Sequence, residues 1–202
     1  MMRMVWSLRE TEQIHKVVSL ENVFSLEEIE RIKEYAATLE EKQPFVGTGS
    51  HEIPAVLKAD VRSCQVKWIE PVDQTQWVFK RLVDAIHRVN AQFFNLNLYG
   101  LQSLQYTIYK AEDRGFYAQH RDARGNAEGG FVRKLSFSIQ LTDPSEYEGG
   151  DLVTDIGFNP NVAPKQLGVV NFFLSDLLHE AQPVVKGCRH VLVGWVVGPP
   201  LS

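Results

Sequence analysis

The stretch that decides the fold is "LQSLQYTIYKAEDRGFYAQHRD", residues 101–122. Its two ends, "LQSLQYTIY" and "FYAQHRD", are short runs rich in β-branched and aromatic residues, which predicts strands. The same texture continues through "LSFSIQL", "GGDLVT", "GVVNFFL" and "HVLVGWVVG", punctuated by Gly, Pro, Asn and Asp. Several short strands at close spacing predict a sandwich, barrel or jelly roll. The stretch also sets His120 and Asp122 one residue apart, with Arg121 between them. On a strand, residues i and i+2 share a face, so an imidazole and a carboxylate project side by side. Three readings fit: a metal site, a general-base pair, or two polar residues on a wet strand face.

The first half of the chain reads differently. "SLEEIERIKEYAATLEEK" starts with Ser25 and places Glu28 three residues later, a capping box ahead of an apolar stripe of Leu26, Ile29, Ile32, Ala36 and Leu39. "DQTQWVFKRLVDAIHRVNAQFF" offers Asp73 and Gln76 as a second capping pair. Its stripe is Val78, Leu82, Ala85, Ile86, Val89 and Phe93, and His87 reads as a solvated helix residue. Between the helices lies the glycine-containing loop "PFVGTGSHEIPAVLKAD", and "DARGNAEGGFVRK" follows the His-Asp pair. Neither reads as an interdomain linker, since the segments on both sides need a shared core.

Bulk composition narrows the class. A chain of 202 residues with 44% hydrophobic and 23% charged residues suits one globular domain. The formal charge is −4 with no basic stripe, so nucleic-acid binding has no electrostatic support. Two cysteines, Cys64 and Cys188, make no disulfide framework and read as reduced thiols. The beginning "MMRMVWSLRE" lacks an apolar secretory core, and no apolar run approaches the ~18 residues of a spanning helix. These readings predict a cytoplasmic protein with no membrane partner.

A third chemical residue is His179, just after the apolar run "GVVNFF" and before Pro183. Ten positions later Arg189 heads the strongly apolar "HVLVGWVV". An arginine at the head of a buried strand needs an anionic partner or a water-filled pocket.

The order His-x-Asp, about sixty residues, His, then ten positions to Arg, resembles the Fe(II)/2-oxoglutarate-dependent oxygenases. "YKAEDRGFYAQHRD", "YEGGDLVT", "HEAQPVVKGCRHVLVGW" and "VFSLEEIERIKEYA" together resemble the prolyl-4-hydroxylase-like branch, over roughly residues 18–198. The resemblance implies a mainly β fold with N-terminal helices (α+β). Its core would be a double-stranded β-helix, a jelly roll of cupin-like form. The whole would be one domain over 1–202, with a helical support region in 1–100 and the jelly-roll core in 101–198.

The resemblance also implies a ligand set and an activity. His120, Asp122 and His179 would form the two-histidine, one-carboxylate facial triad of a non-haem Fe(II) oxygenase. Arg189 would hold the distal carboxylate of 2-oxoglutarate as a bidentate pair. Tyr109 matches a tyrosine that helps bind the same cosubstrate, although the segment from it to His120 is one residue longer than in close relatives. Trp195, on the Arg189 side of its strand by alternation, matches a pocket tryptophan; plain core packing explains it equally well. Tyr117 would line the entrance. Arg124 would touch substrate if the strand continues, or sit in the glycine loop. Arg62 and Trp68 flank "SCQVKW" and read as a solvated strand, and His190 points away from Arg189. The carboxylate of Asp122 favours hydroxylation over halogenation.

The implied reaction is hydroxylation of a C–H bond, of a prolyl residue in a polypeptide, using O2 and releasing succinate and CO2, with ascorbate as reductant. Two other readings stay open. One is a hydroxylase of a free amino acid or other small molecule. The other is a metal- and 2-oxoglutarate-binding jelly roll without turnover. The two glycine-containing loops would flank the pocket and close over an extended substrate, with Arg133 and Lys134 offering polar contacts.

Overall fold

The computed structural model describes residues 17–42, 45–48, 51–54, 60–123, 130–156 and 160–200. The chain opens with β1 (Val17–Leu20), α1 (Leu26–Ala37), the hairpin β2 (Phe45–Thr48) and β3 (His51–Pro54), then β4 (Arg62–Ser63) and β5 (Gln65–Ile69). Helix α2 (Gln76–Val89) runs into a π turn at Asn90–Phe94. Then follow β6 (Gly100–Leu101), β7 (Leu104–Lys110), β8 (Phe116–His120), β9 (Val132–Gln140), β10 (Tyr147–Gly149) and β11 (Leu152–Thr154). The last strands are β12 (Asn161–Val162), β13 (Val170–Leu174), β14 (His179–Ala181) and β15 (Val184–Gly198).

Two antiparallel sheets face each other. The larger has the order β1-β13-β9-β15-β7-β5, with β6 and β10 also paired to β15; the smaller has the order β12-β11-β14-β8-β4. The crossovers between sequence-distant strands make this a jelly roll. Residues 1–100 supply more than helical support: β1 and β5 are the edges of the larger sheet and β4 the edge of the smaller. The segment read as the loop 44–60 contains the β2–β3 hairpin.

Strand alternation sorts the larger sheet into two faces. Leu135, Phe137 and Ile139 of β9, Leu104 and Tyr106 of β7, and Leu192 and Val196 of β15 pack with the helix residues Ile29, Ile32, Leu82 and Val89. The opposite face carries Ser136, Ser138 and Gln140 of β9, Gln105 and Tyr109 of β7, and Arg189 and Trp195 of β15, all buried. One face is therefore a helix-covered core, and the other is a polar wall looking toward the smaller sheet. Gly194 is required where β15 crosses the helix-side core, because a Cβ there would lie 2.2 Å from the Phe137 ring.

The helices follow the sequence in most respects. Ser25 accepts from the Glu28 N–H at 3.1 Å and Glu28 accepts from the Ser25 N–H at 2.9 Å, so the capping box forms. Leu26 departs from the expected stripe. It is 67% exposed, because the first residue of α1 stands clear of the sheet that buries Ile29, Ile32 and Ala36. The Asp73–Gln76 pair does not cap α2. Thr75 is the N-cap, and its hydroxyl bonds to the Glu70 carbonyl and accepts from the Val72 N–H, holding the turn before the helix. Val78, Leu82, Ala85, Ile86 and Val89 are buried as the stripe predicts, and His87 is exposed. Lys67 of β5 donates to the Ala36 carbonyl at 2.9 Å, tying the end of α1 to the sheet. Among the described residues no helix is long and apolar enough to cross a membrane.

Candidate metal and cosubstrate site

The site is built where β8 and β14 pair. His120 and His179 are direct partners across that antiparallel ladder. Asp122 lies two residues past His120, beyond the end of β8. The N–H groups of Asp122 and Ala123 donate to the Ser175 carbonyl at 2.8 and 2.7 Å, which turns the Asp122 side chain back toward the histidines. His120 Nε2 lies 3.6 Å from Asp122 Oδ1, and His179 Nε2 lies 3.5 Å from Asp122 Oδ2. One donor atom from each of the three falls within 4.8 Å of the others, the arrangement that could hold a metal ion.

The surroundings prepare these groups as ligands. His120 Nδ1 is 2.8 Å from the Ala118 carbonyl and His179 Nδ1 is 2.9 Å from the Leu177 carbonyl. An Nδ1–H that donates to a carbonyl leaves the lone pair on Nε2, the atom facing Asp122 in both cases. Ser136 donates to Asp122 Oδ2 at 2.8 Å, and its oxygen lies 2.9 Å from that of Ser175. Burial lowers the His120 pKa to about 4, with the neighbouring His179 acting in the same direction. Burial pushes the Asp122 carboxyl up, but the imidazoles outweigh it and hold the acid ionised below the ordinary range. The result is a His120 imidazole biased to its neutral form beside an ionised Asp122 carboxylate.

This has a consequence for stability. His120 titrates near 6.5 in the unfolded chain and about 4 in the folded one, so between those values the unfolded state binds more protons. The metal-free protein is expected to lose stability as pH falls from about 6.5 to about 4. Urea midpoints measured across that range should show it, and His120→Gln should flatten the slope.

The same cavity is lined by Arg62, Trp68, Gln105, Tyr109, Tyr117, Arg133, Arg189 and Trp195. Arg189 is only 2% exposed. Its Nε donates to Gln140 at 3.2 Å, its guanidinium carbon sits 5.5 Å from the Tyr109 ring centre, and it has no carboxylate partner among the described residues. Burial raises the Tyr109 phenol pKa, so this residue enters as a neutral donor. Trp195 is part of the cavity wall, with the Arg133 guanidinium 3.8 Å above its ring and Trp68 6.2 Å away. Its buried indole N–H has no acceptor within hydrogen-bond range and comes near enough to Asp122 only to favour the ionised carboxylate. Arg133 also donates to Gln102 at 2.7 Å.

Tyr117 stacks on His120, with ring centres 3.6 Å apart. Arg62 and Trp68 do not sit on a solvated strand. Arg62 is 6% exposed and both line the cavity, because β4 pairs with β8 and β5 with β7. His190 points to the opposite side, bonding Tyr106 at 2.7 Å. Arg124 lies outside the described residues. Sequence reading missed Gln105, Ser136, Gln140 and Ser175. The alternation of polar Ser and Gln with bulky apolar residues in "LSFSIQ" was the available signal.

Known proteins supply independent support. The profile of the 2OG-Fe(II) oxygenase superfamily matches residues 104–197. A PKHD-type hydroxylase of Gloeothece citriformis is 40% identical over 81 residues, covering 40% of this chain and 36% of the relative. One from Aliarcobacter butzleri is 34% identical over 91 residues, covering 43% and 40%. The matched region thus spans about two fifths of the length of these curated relatives. Over the whole fold, a Pseudomonas putida prolyl-4-hydroxylase superposes with TM-score 0.63 at 18% identity, covering 90% of this chain and 92% of that one. A Trichoplax adhaerens prolyl hydroxylase, solved with a hypoxia inducible factor peptide fragment, gives 0.67 at 14% identity, covering 91% and 84%. The match to the 2OG-Fe(II) oxygenase superfamily profile thus falls on the β core that carries both histidines and the aspartate.

Proposed function

We propose that this protein is an Fe(II)- and 2-oxoglutarate-dependent dioxygenase that hydroxylates a C–H bond, of a prolyl residue in a polypeptide. The observation that carries the reading is one cavity holding a His120–Asp122–His179 cluster and a buried Arg189 with no carboxylate partner among the described residues. The residues fit the group. Two imidazole nitrogens and one carboxylate oxygen on one side suit Fe(II), leaving the other side open. A buried guanidinium suits a dicarboxylic cosubstrate. When bound, Fe(II) with 2-oxoglutarate and O2 would supply an oxidant for C–H hydroxylation, with 2-oxoglutarate consumed and succinate and CO2 released.

The chain's own residues do the rest. His120, Asp122 and His179 hold the metal, with Ser136 and the Ala118 and Leu177 carbonyls fixing their orientations. Arg189 and Tyr109 orient 2-oxoglutarate from one side. Trp68 and Trp195 wall the cavity and exclude water. The polypeptide substrate is supported by the peptide complex of the Trichoplax neighbour and by the prolyl hydroxylase names of the similar structures.

The test is an aerobic incubation with Fe(II), ascorbate, 2-oxoglutarate and a panel of proline-containing peptides and free amino acids. Succinate should form together with a peptide that gains one oxygen atom. Turnover of a free amino acid and of no peptide would move the reading to a small-molecule hydroxylase. Binding without succinate for any substrate would make it a non-catalytic module.

A further inference from the structure

We propose that Arg62 and Tyr117 are positioning residues for the metal site: together they clamp the imidazole plane of His120 so that its Nε2 stays aimed at the metal position. The inference rests on the metal-binding reading above and assigns two residues to it that the ligand pattern does not include.

The bond from Nδ1 to the Ala118 carbonyl anchors one edge of the His120 ring, and a single hydrogen bond still lets the ring rock about it. Stacking removes that freedom. The Tyr117 and His120 rings are nearly parallel, 17° apart, with centres at 3.6 Å. That contact fills one face of Tyr117. Arg62 covers the other, since two groups cannot occupy one face, and its guanidinium carbon is 4.5 Å from the ring centre. Arg62 is itself held, donating from Nε to Cys64 Sγ at 3.0 Å. The column therefore runs from the edge strand β4 through β8 to a metal ligand. His179 is held by other means, with Phe173 edge-on at 4.7 Å.

The backbone explains why the column exists. Arg62 and Tyr117 are direct cross-strand partners, which puts their side chains together. Tyr117 and His120 are three residues apart and would face opposite sides on a regular strand. They do not, because His120 pairs with His179 and Tyr117 with Ala181, so three steps on β8 oppose two on β14. That bulge swings both rings onto the cavity side. A buried guanidinium is also a costly filler for a gap that an apolar side chain could close, and this one sits over an aromatic ring, where its charge is favourable.

The experiment is an anaerobic Co(II) titration of the metal-free protein, read by affinity and by the ligand-field absorption bands. Tyr117→Leu removes the stacking face and is expected to weaken Co(II) binding about tenfold and to shift the bands, whereas Tyr117→Phe keeps the face and should stay within about twofold. Arg62→Leu should fall between them, and Arg62→Lys should recover only part of the loss because the flat fork is missing. Thermal midpoints identify any variant that fails to fold; if Tyr117→Leu does, the Arg62 pair carries the test. Wild-type affinity and bands in Tyr117→Leu and Arg62→Leu would overturn the clamp. So would a loss in Tyr117→Phe as large as in Tyr117→Leu. Absence of Co(II) binding by the wild type would overturn the metal reading instead.

Discussion

His179→Ala is expected to bring succinate formation to background and to weaken metal binding by more than the about 10–100-fold that follows loss of an outer hydrogen-bond partner. Three donor atoms within 4.8 Å are the whole of the candidate protein ligand set among the described residues, so two cannot replace three. Asp122→Ala is the sharper variant. It removes the only formal negative charge of the set and strips Ser136 of its carboxylate acceptor in a fully buried position. Some metal can still sit on the two imidazoles, but it would lack the geometry that the Ser175 carbonyl imposes through the backbone of Asp122. Hydroxylation should disappear even where metal remains. Isothermal titration with Mn(II), alongside succinate measured with Fe(II), checks both halves. Full activity in both variants would mean that the metal lies elsewhere.

The residue pair behind this prediction was legible in the sequence, though for an incomplete reason. Strand alternation placed His120 beside Asp122. In the fold β8 ends at His120, and Asp122 reaches the histidines because its backbone hangs from Ser175. A strand-rich sandwich, barrel or jelly roll was legible because strand texture is local, and so was the face of α2; the choice of the jelly roll rested on the family resemblance. Arg62 was illegible as a cavity residue. Nothing in "SCQVKW" reveals that β4 will lie against Tyr117, which is 55 positions away. The bulge that stacks Tyr117 on His120 is likewise a property of the β8–β14 register, not of either strand's composition. Ser136 illustrates the same limit: its identity could be read, but its carboxylate partner could not. Reading the glycine-containing run between the helices as a loop likewise missed the hairpin it contains.

The second large effect falls on cosubstrate binding. Arg189 commits its Nε to Gln140, which leaves the two terminal nitrogens as the fork for a carboxylate. A charge-assisted bidentate pair contributes about 1.5–3 kcal/mol, so Arg189→Ala is expected to weaken 2-oxoglutarate binding roughly tenfold to a hundredfold. Arg189→Lys should lose less, since it keeps the charge and gives up the fork. Metal affinity should hardly change, because Arg189 makes no contact with His120, Asp122 or His179 among its hydrogen bonds and ion pairs. Stability should move in the opposite sense from cosubstrate affinity. A guanidinium that is 2% exposed and has no carboxylate partner among the described residues burdens the empty protein. Arg189→Leu should therefore cost the cosubstrate-free protein little stability while abolishing the stabilisation that 2-oxoglutarate confers on the wild type. An anaerobic titration with Fe(II) present gives the affinities, and thermal midpoints with and without 2-oxoglutarate give the rest. Unchanged affinity in Arg189→Ala would remove this residue from the cosubstrate site. A large loss of stability in the cosubstrate-free Leu variant would show that Arg189 serves the fold and not the ligand.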